Sequence, residues 1–166
     1  MILHRLVPVA AILLAALPIL AAEPLVLDAW EGLTPNPALL HDGAPALAWP
    51  ELGTNTTATA QNAPTDFTPY QTLSFHLHVA EPTDSVLTLV LASNNPDTPQ
   101  ADYYSITLRT NFRGWRHILV SRSMFNATRS PLGWDRIQRV FLNSRWAHRL
   151  DPETVVHLTP LVFTET

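Results

Sequence analysis

From Leu25 to Phe163 the chain advances in short apolar or alternating runs, each stopped by a polar cluster that usually contains proline. The stops are Thr34-Pro35-Asn36-Pro37, Ala63-Pro64-Thr65-Asp66, Glu81-Pro82-Thr83-Asp84, Asn94-Asn95-Pro96-Asp97 and Asp151-Pro152. Proline lacks an N–H and fixes φ, so these clusters punctuate sheet and leave little room for long helices. The runs predict strands near residues 25–30, 44–49, 56–61, 72–80, 85–93, 103–110, 115–121, 139–144 and 154–163. Brief helical pieces are expected at 123–126 and 134–138. Eight or nine strands at this spacing predict an all-β sandwich or barrel.

Alternation assigns the faces. Phe75, Leu77 and Val79 share one side of their run and leave Ser74, His76 and His78 on the other. Leu87, Leu89 and Leu91 point together. Tyr104, Ile106 and Leu108 oppose Tyr103, Ser105, Thr107 and Arg109, and His157 alternates with Val156 and Leu158. Several strands therefore carry a polar face rich in His, Tyr, Thr and Arg. Trp30, Trp49, Trp115 and Trp134 each adjoin a strand pattern and are expected in the core.

Residues 1–22 have the order of a secretory leader: His4 and Arg5, an apolar run from Leu6 to Leu20, then Ala21-Ala22. The run is short and proline-interrupted for a membrane span. The expectation is a secreted or periplasmic protein with a single domain over residues 23–166 and no membrane span after leader removal. The chain has no cysteine, which excludes a disulfide framework and thiolate metal sites.

Charge divides the chain. Residues 23–102 hold ten acids and no Lys or Arg, whereas residues 103–150 hold nine Arg and one acid, Asp135. Such asymmetry marks either an anion-binding face or two halves that neutralise each other. Nucleic acid is not expected as a partner.

No nucleophile elbow, phosphate loop or paired-carboxylate arrangement occurs, so no catalytic residue is assigned. His76 and His78 with His157 or His117 could supply imidazoles, but there is no HExxH or Cys/His cluster, and no metal site is assigned. A binding role remains. Sugar recognition uses flat aromatic faces, which Tyr103 and Trp146 supply, and Arg109, Arg113 and Arg145 could hold carboxylate or sulfate in bidentate fashion. A small lyase would instead require a cleft joining Tyr103, Arg109 and His76 or His78.

Asp66-Phe67-x-x-Tyr70-x-x-Leu73-x-Phe75, Asp102-Tyr103-Tyr104, Gly114-Trp115-Arg116-x-Ile118, Phe125, Arg129-Ser130-Pro131-Leu132-Gly133-Trp134-Asp135-x-Ile137, Trp146 and Asp151-Pro152-Glu153-Thr154 together resemble jelly-roll modules of the galactose-binding-like superfamily. In particular they are similar to the carbohydrate-binding-type sandwich that precedes bacterial heparinase- and chondroitinase-like polysaccharide lyases. The resemblance covers most of Asp28–Phe163 and implies a galactose-binding-domain-like jelly-roll β-sandwich. It further implies a non-catalytic module that binds a polysaccharide or oligosaccharide, here an acidic one, beside a separate polysaccharide-degrading enzyme. A structural or protein-interaction sandwich of a polysaccharide-processing or envelope system is the alternative. Many such modules hold a structural calcium between an acid near the first strand, here Glu31 or Asp28, and an aspartate in the last. The matching last-strand position is Thr159, which removes a carboxylate that calcium favours.

Overall fold

The computed structural model describes residues 22–166; the expected leader lies, but for Ala22, outside them. Thirteen strands occur among the described residues: β1 (Leu25–Leu27), β2 (Trp30–Glu31), β3 (Thr34–His41), β4 (Ala44–Trp49), β5 (Thr57–Ala60), β6 (Thr72–Val79), β7 (Val86–Ala92), β8 (Tyr103–Arg109), β9 (Gly114–Ser121), β10 (Asn126–Thr128), β11 (Arg139–Asn143), β12 (Val156–Leu158) and β13 (Leu161–Thr164). All pair antiparallel in two sheets.

The first sheet is centred on β6. One edge of β6 pairs with β9 along its full length, from Thr72↔Ser121 to Val79↔Gly114. The other edge takes β13 along its first half and β12 along its second, with β1 beyond β13, and β4 then β3 beyond β12. The second sheet runs β10-β8-β7-β11-β5-β2. Leu27, Phe75, Leu77, Val79 and Leu158 from the first sheet meet Leu87, Leu89, Leu91, Leu108, Val140 and Leu142 from the second in one core. The inward sets on β6, β7 and β8 are those the alternation assigns. Phe67, Phe125 and Ile137 are buried at one end, and Trp134 packs there with its ring stacked 4.3 Å from Tyr104.

Four expectations are corrected. The proline cluster at 34–37 is strand, not a stop. Among the described residues β3 is an edge strand paired only with β4, where a missing N–H on the outer side removes no ladder bond, and its register slips between Asn36 and Leu40. The 134–138 segment is a turn at Trp134-Asp135 followed by irregular chain, and the only helical piece among the described residues is a 3-10 turn at Arg122–Met124, which Phe125 joins to β10. The last run is broken at Thr159-Pro160 into β12 and β13. Finally, Trp115 lies opposite His78 on the outer face of the first sheet instead of in the core.

The charge asymmetry is partly internal neutralisation. Arg113 pairs with Glu81, and Arg149 with Asp84 at 2.9 Å, each an arginine of the basic segment meeting an acid of the acidic one.

Candidate functional site

The outer face of the second sheet is floored by β8, β7 and β11. Tyr103 opens β8 opposite Ala92, and Val90 pairs with Phe141. These outward residues are unusually covered: Val90 is 0% exposed and Phe141 4%. Part of the cover over Phe141 comes from the turn after β11, which carries Trp146. Asn143, itself buried, accepts hydrogen bonds on Oδ1 from the backbone N–H groups of Arg145 and Trp146, each at 2.8 Å, and donates Nδ2 to Thr57 Oγ1 at 3.0 Å. Ser144 donates its hydroxyl to the Leu52 carbonyl at 2.6 Å. The turn is thus pinned to β5 and its neighbouring loop, and it folds the Trp146 indole back over the sheet.

Trp146 then stands edge-on to Phe141 with centroids 5.3 Å apart and meets Tyr103 at 5.1 Å and 47°. With Asn94, Gln138 and Arg139 the three rings line a cleft of about 400 Å3. Trp146 keeps 41% of its surface exposed, a large aromatic area for a residue so firmly held. Arg139 lies with its guanidinium 4.0 Å from the Phe141 centroid, a cation–π contact, and no described carboxylate pairs with it. Gln138 and Asn94 bond one another through their amides, at 2.8 Å from Asn94 Nδ2 to Gln138 Oε1. None of the lining side chains is acidic.

The wall that carries Asn94 and Ala101 is organised by Asp102. Its carboxylate accepts from Thr98 Oγ1, from the Asn95 N–H at 3.1 Å and from the Ser130 N–H at 2.8 Å. The Thr98 hydroxyl first, and the Ser130 N–H next, hold this carboxyl below the usual aspartate range.

The sequence-assigned residues do not all gather here. Tyr103 and Trp146 meet in the cleft. Arg109 ends β8 on the same face but lines a separate groove with Arg116, Ile118 and Met124. Arg113 is engaged with Glu81, and Arg145 donates to the Gly53 carbonyl. Arg139 was not assigned from sequence. The available signal was its place one residue before the buried Val140 on an alternating strand, which puts it on the outer face. His76 and His78 lie on the outer face of the opposite sheet, so no cleft joins them to Tyr103 and Arg109. Among the described residues no three His, Asp or Glu side chains are placed to hold a metal. Of the positions matched to a structural calcium, Thr159 Oγ1 accepts from the His76 N–H at 2.9 Å, and Asp28 accepts from Asn62 at 3.1 Å.

No family model matches the sequence, and no curated protein matches it. Solved structures do. A family 11 carbohydrate-binding module from Clostridium thermocellum, in complex with a β-1,3-1,4-mixed-linked tetrasaccharide, superposes with a TM-score of 0.56 at 8% identity over 86% of this chain and 87% of that one. The family 11 module of the cellulosomal cellulase Lic26A-Cel5E from the same organism gives 0.55 at 9% identity, with 89% of each chain covered. A family 30 carbohydrate-binding module gives 0.58 at 14% identity, over 89% of this chain and 86% of that one. The chain folds as a jelly-roll β-sandwich. At these identities the likeness is one of fold.

Proposed function

We propose that this chain is a non-catalytic carbohydrate-binding module that holds a segment of acidic polysaccharide in the Tyr103–Trp146 cleft. It does so outside the cell and beside a separate polysaccharide-degrading enzyme. The observation that carries the reading is the aromatic pair itself, one ring on a strand and one on a pinned loop, with Trp146 fixed yet 41% exposed. Rigid, half-exposed rings stack on the C–H faces of a sugar with little ordering cost. Arg139 supplies the anionic preference: its fork has no carboxylate partner among the described residues and lies over the Phe141 ring. Solved modules of the same fold, one of them in complex with an oligosaccharide, support a carbohydrate ligand. The exported location rests on the leader-like segment of the sequence.

Binding to an array of neutral and uronate-bearing glycans tests the proposal. Binding of uronate-bearing glycans above neutral ones supports it, and a folded protein that binds no glycan overturns it.

One feature favours a protein-interaction role instead. Among the described residues β9 pairs only with β6; Leu119 on β9 and Met124 just after it are each 61% exposed. An eight-residue edge with no partner strand among the described residues, and with apolar neighbours, is a surface that another chain can extend. A pull-down that returns a protein partner, from a chain that binds no glycan, would establish this second role.

A further inference from the structure

Five of the chain's seven histidines lie together on the outer face of the first sheet, away from the cleft. Their rings form an unbroken series with Trp115. His157 meets His78 at 5.8 Å, His78 meets Trp115 at 5.0 Å, Trp115 meets His41 at 4.6 Å, His41 meets His76 at 4.1 Å, and His76 stacks on His117 at 4.7 Å. One end of the series has an assigned tautomer. Asn36 Oδ1 accepts from the Ala38 N–H, so its Nδ2 donates to His157 Nε2 at 2.9 Å and that nitrogen carries no proton.

His76, His78, His117 and His157 stand on strands paired on both sides or along their full length. His41 is different. It sits at the tip of the β3–β4 hairpin, opposite Ala44 across a turn in which Asp42 and Gly43 take φ of +50° and +80°. β4 is paired to β12 only from Leu47 to Trp49, so Ala44 to Ala46 have no strand on that side among the described residues. The tip reaches back over the sheet through the His41 ring, and beneath it His41, Ala44, Pro45, His76, Thr159 and Val162 line a cleft of about 310 Å3.

Formal charge around these rings is sparse. Asp42, exposed on the turn, places Oδ2 3.3 Å from His41 Nδ1. β1, β4 and β13 present Val26, Ala44, Pro45 and Val162 to the tip. On β9, Arg116 alternates to the other face and lies over Phe112. Neutral imidazoles can stack at these distances, whereas adjacent imidazolium ions repel. His76 resists protonation because it is partly desolvated and because charge on His41 and His117 opposes it, with Asp42 acting the other way.

We propose that the β3–β4 hairpin tip is a proton-released latch, closed on His76 and Trp115 while the imidazoles are neutral and freed when acid charges His41 and His76 together. Two imidazolium rings with centroids 4.1 Å apart repel, and that repulsion breaks the contact. The contribution of the neutral series is fully present above the ordinary histidine value of about 6.5 and is lost as pH falls below it.

Hydrogen exchange in the full chain tests the latch, with the amides of Leu87–Leu91 as an internal reference and rates corrected for their intrinsic pH dependence. Between pH 7.5 and pH 5, protection at Leu40–Ala46 should drop by roughly tenfold or more while the reference holds. His41→Phe, which keeps a flat ring but cannot be charged, should keep the tip protected at pH 5. His76→Phe, which keeps a flat ring beneath His41 but removes the second charge, should do the same. Equal tip protection at both pH values, or release at pH 5 that persists in both variants, overturns the proposal.

Discussion

The rings of Tyr103 and Trp146 meet with centroids 5.1 Å apart, one carried by the first residue of β8 and the other by the turn that leaves β11. Neither element positions both. The pair exists because Asn143 closes the turn onto the sheet, and the candidate site therefore depends on a buried amide as much as on its aromatic surface.

Asn143→Ala should test that dependence. The substitution leaves the N–H groups of Arg145 and Trp146 without their acceptor and Thr57 without its donor. Losing such buried bonds costs roughly 1–3 kcal/mol. Denaturant unfolding should show a loss of that order. Glycan affinity should fall too, although Asn143 is itself only 6% exposed.

Arg139→Gln should separate charge from stacking. The variant keeps Trp146 and Tyr103 but removes the guanidinium beside Phe141. Affinity for a uronate-bearing glycan should fall by about tenfold, the loss of one charge-assisted contact, and its salt dependence should flatten. Stacking on a neutral glycan should be unchanged. Titrations at two ionic strengths measure both.

Acid should loosen the wall beside the cleft. The Asp102 carboxyl is held below the usual aspartate range by Thr98 and Ser130, so its contribution is present above that range. It is lost as pH falls through the lowered folded-state value. Asp102→Asn should remove that part of the acid limb from a plot of stability against pH. It should also destabilise the fold at neutral pH, because an amide nitrogen then faces donors.

The fold was largely legible in the sequence because period-two alternation reports burial directly: Phe75, Leu77 and Val79, and Leu87, Leu89 and Leu91, are inward as their spacing implies. Two of the corrected features show why the rest was not. Prolines at 35 and 37 stop a central strand but not an edge strand, and sequence does not say which strand is at the edge. Trp115 looks like core because it is large and apolar, yet its register with His78 turns it outward. For the site, Tyr103 and Trp146 were found as a polar-face residue and a loop residue, but their meeting depends on the Asn143 turn. Arg109, Arg113 and Arg145 were drawn in by charge alone. Where a guanidinium ends depends on local partners, here Glu81 for Arg113 and the Gly53 carbonyl for Arg145.

Core packing gives a check independent of ligand. Leu89 is 0% exposed at the centre of the sandwich. Leu89→Ala should cost roughly 2–5 kcal/mol by calorimetry or denaturant unfolding, the usual range for a leucine-sized cavity.

Affinity electrophoresis of the wild-type chain and Trp146→Ala through gels containing a polyuronate tests the central claim most directly. The account predicts that the wild type is retarded and that Trp146→Ala loses most of that retardation, roughly tenfold or more in affinity, while still unfolding cooperatively as a folded domain. Retardation that is absent in the folded wild type, or equal in the two proteins, would contradict it.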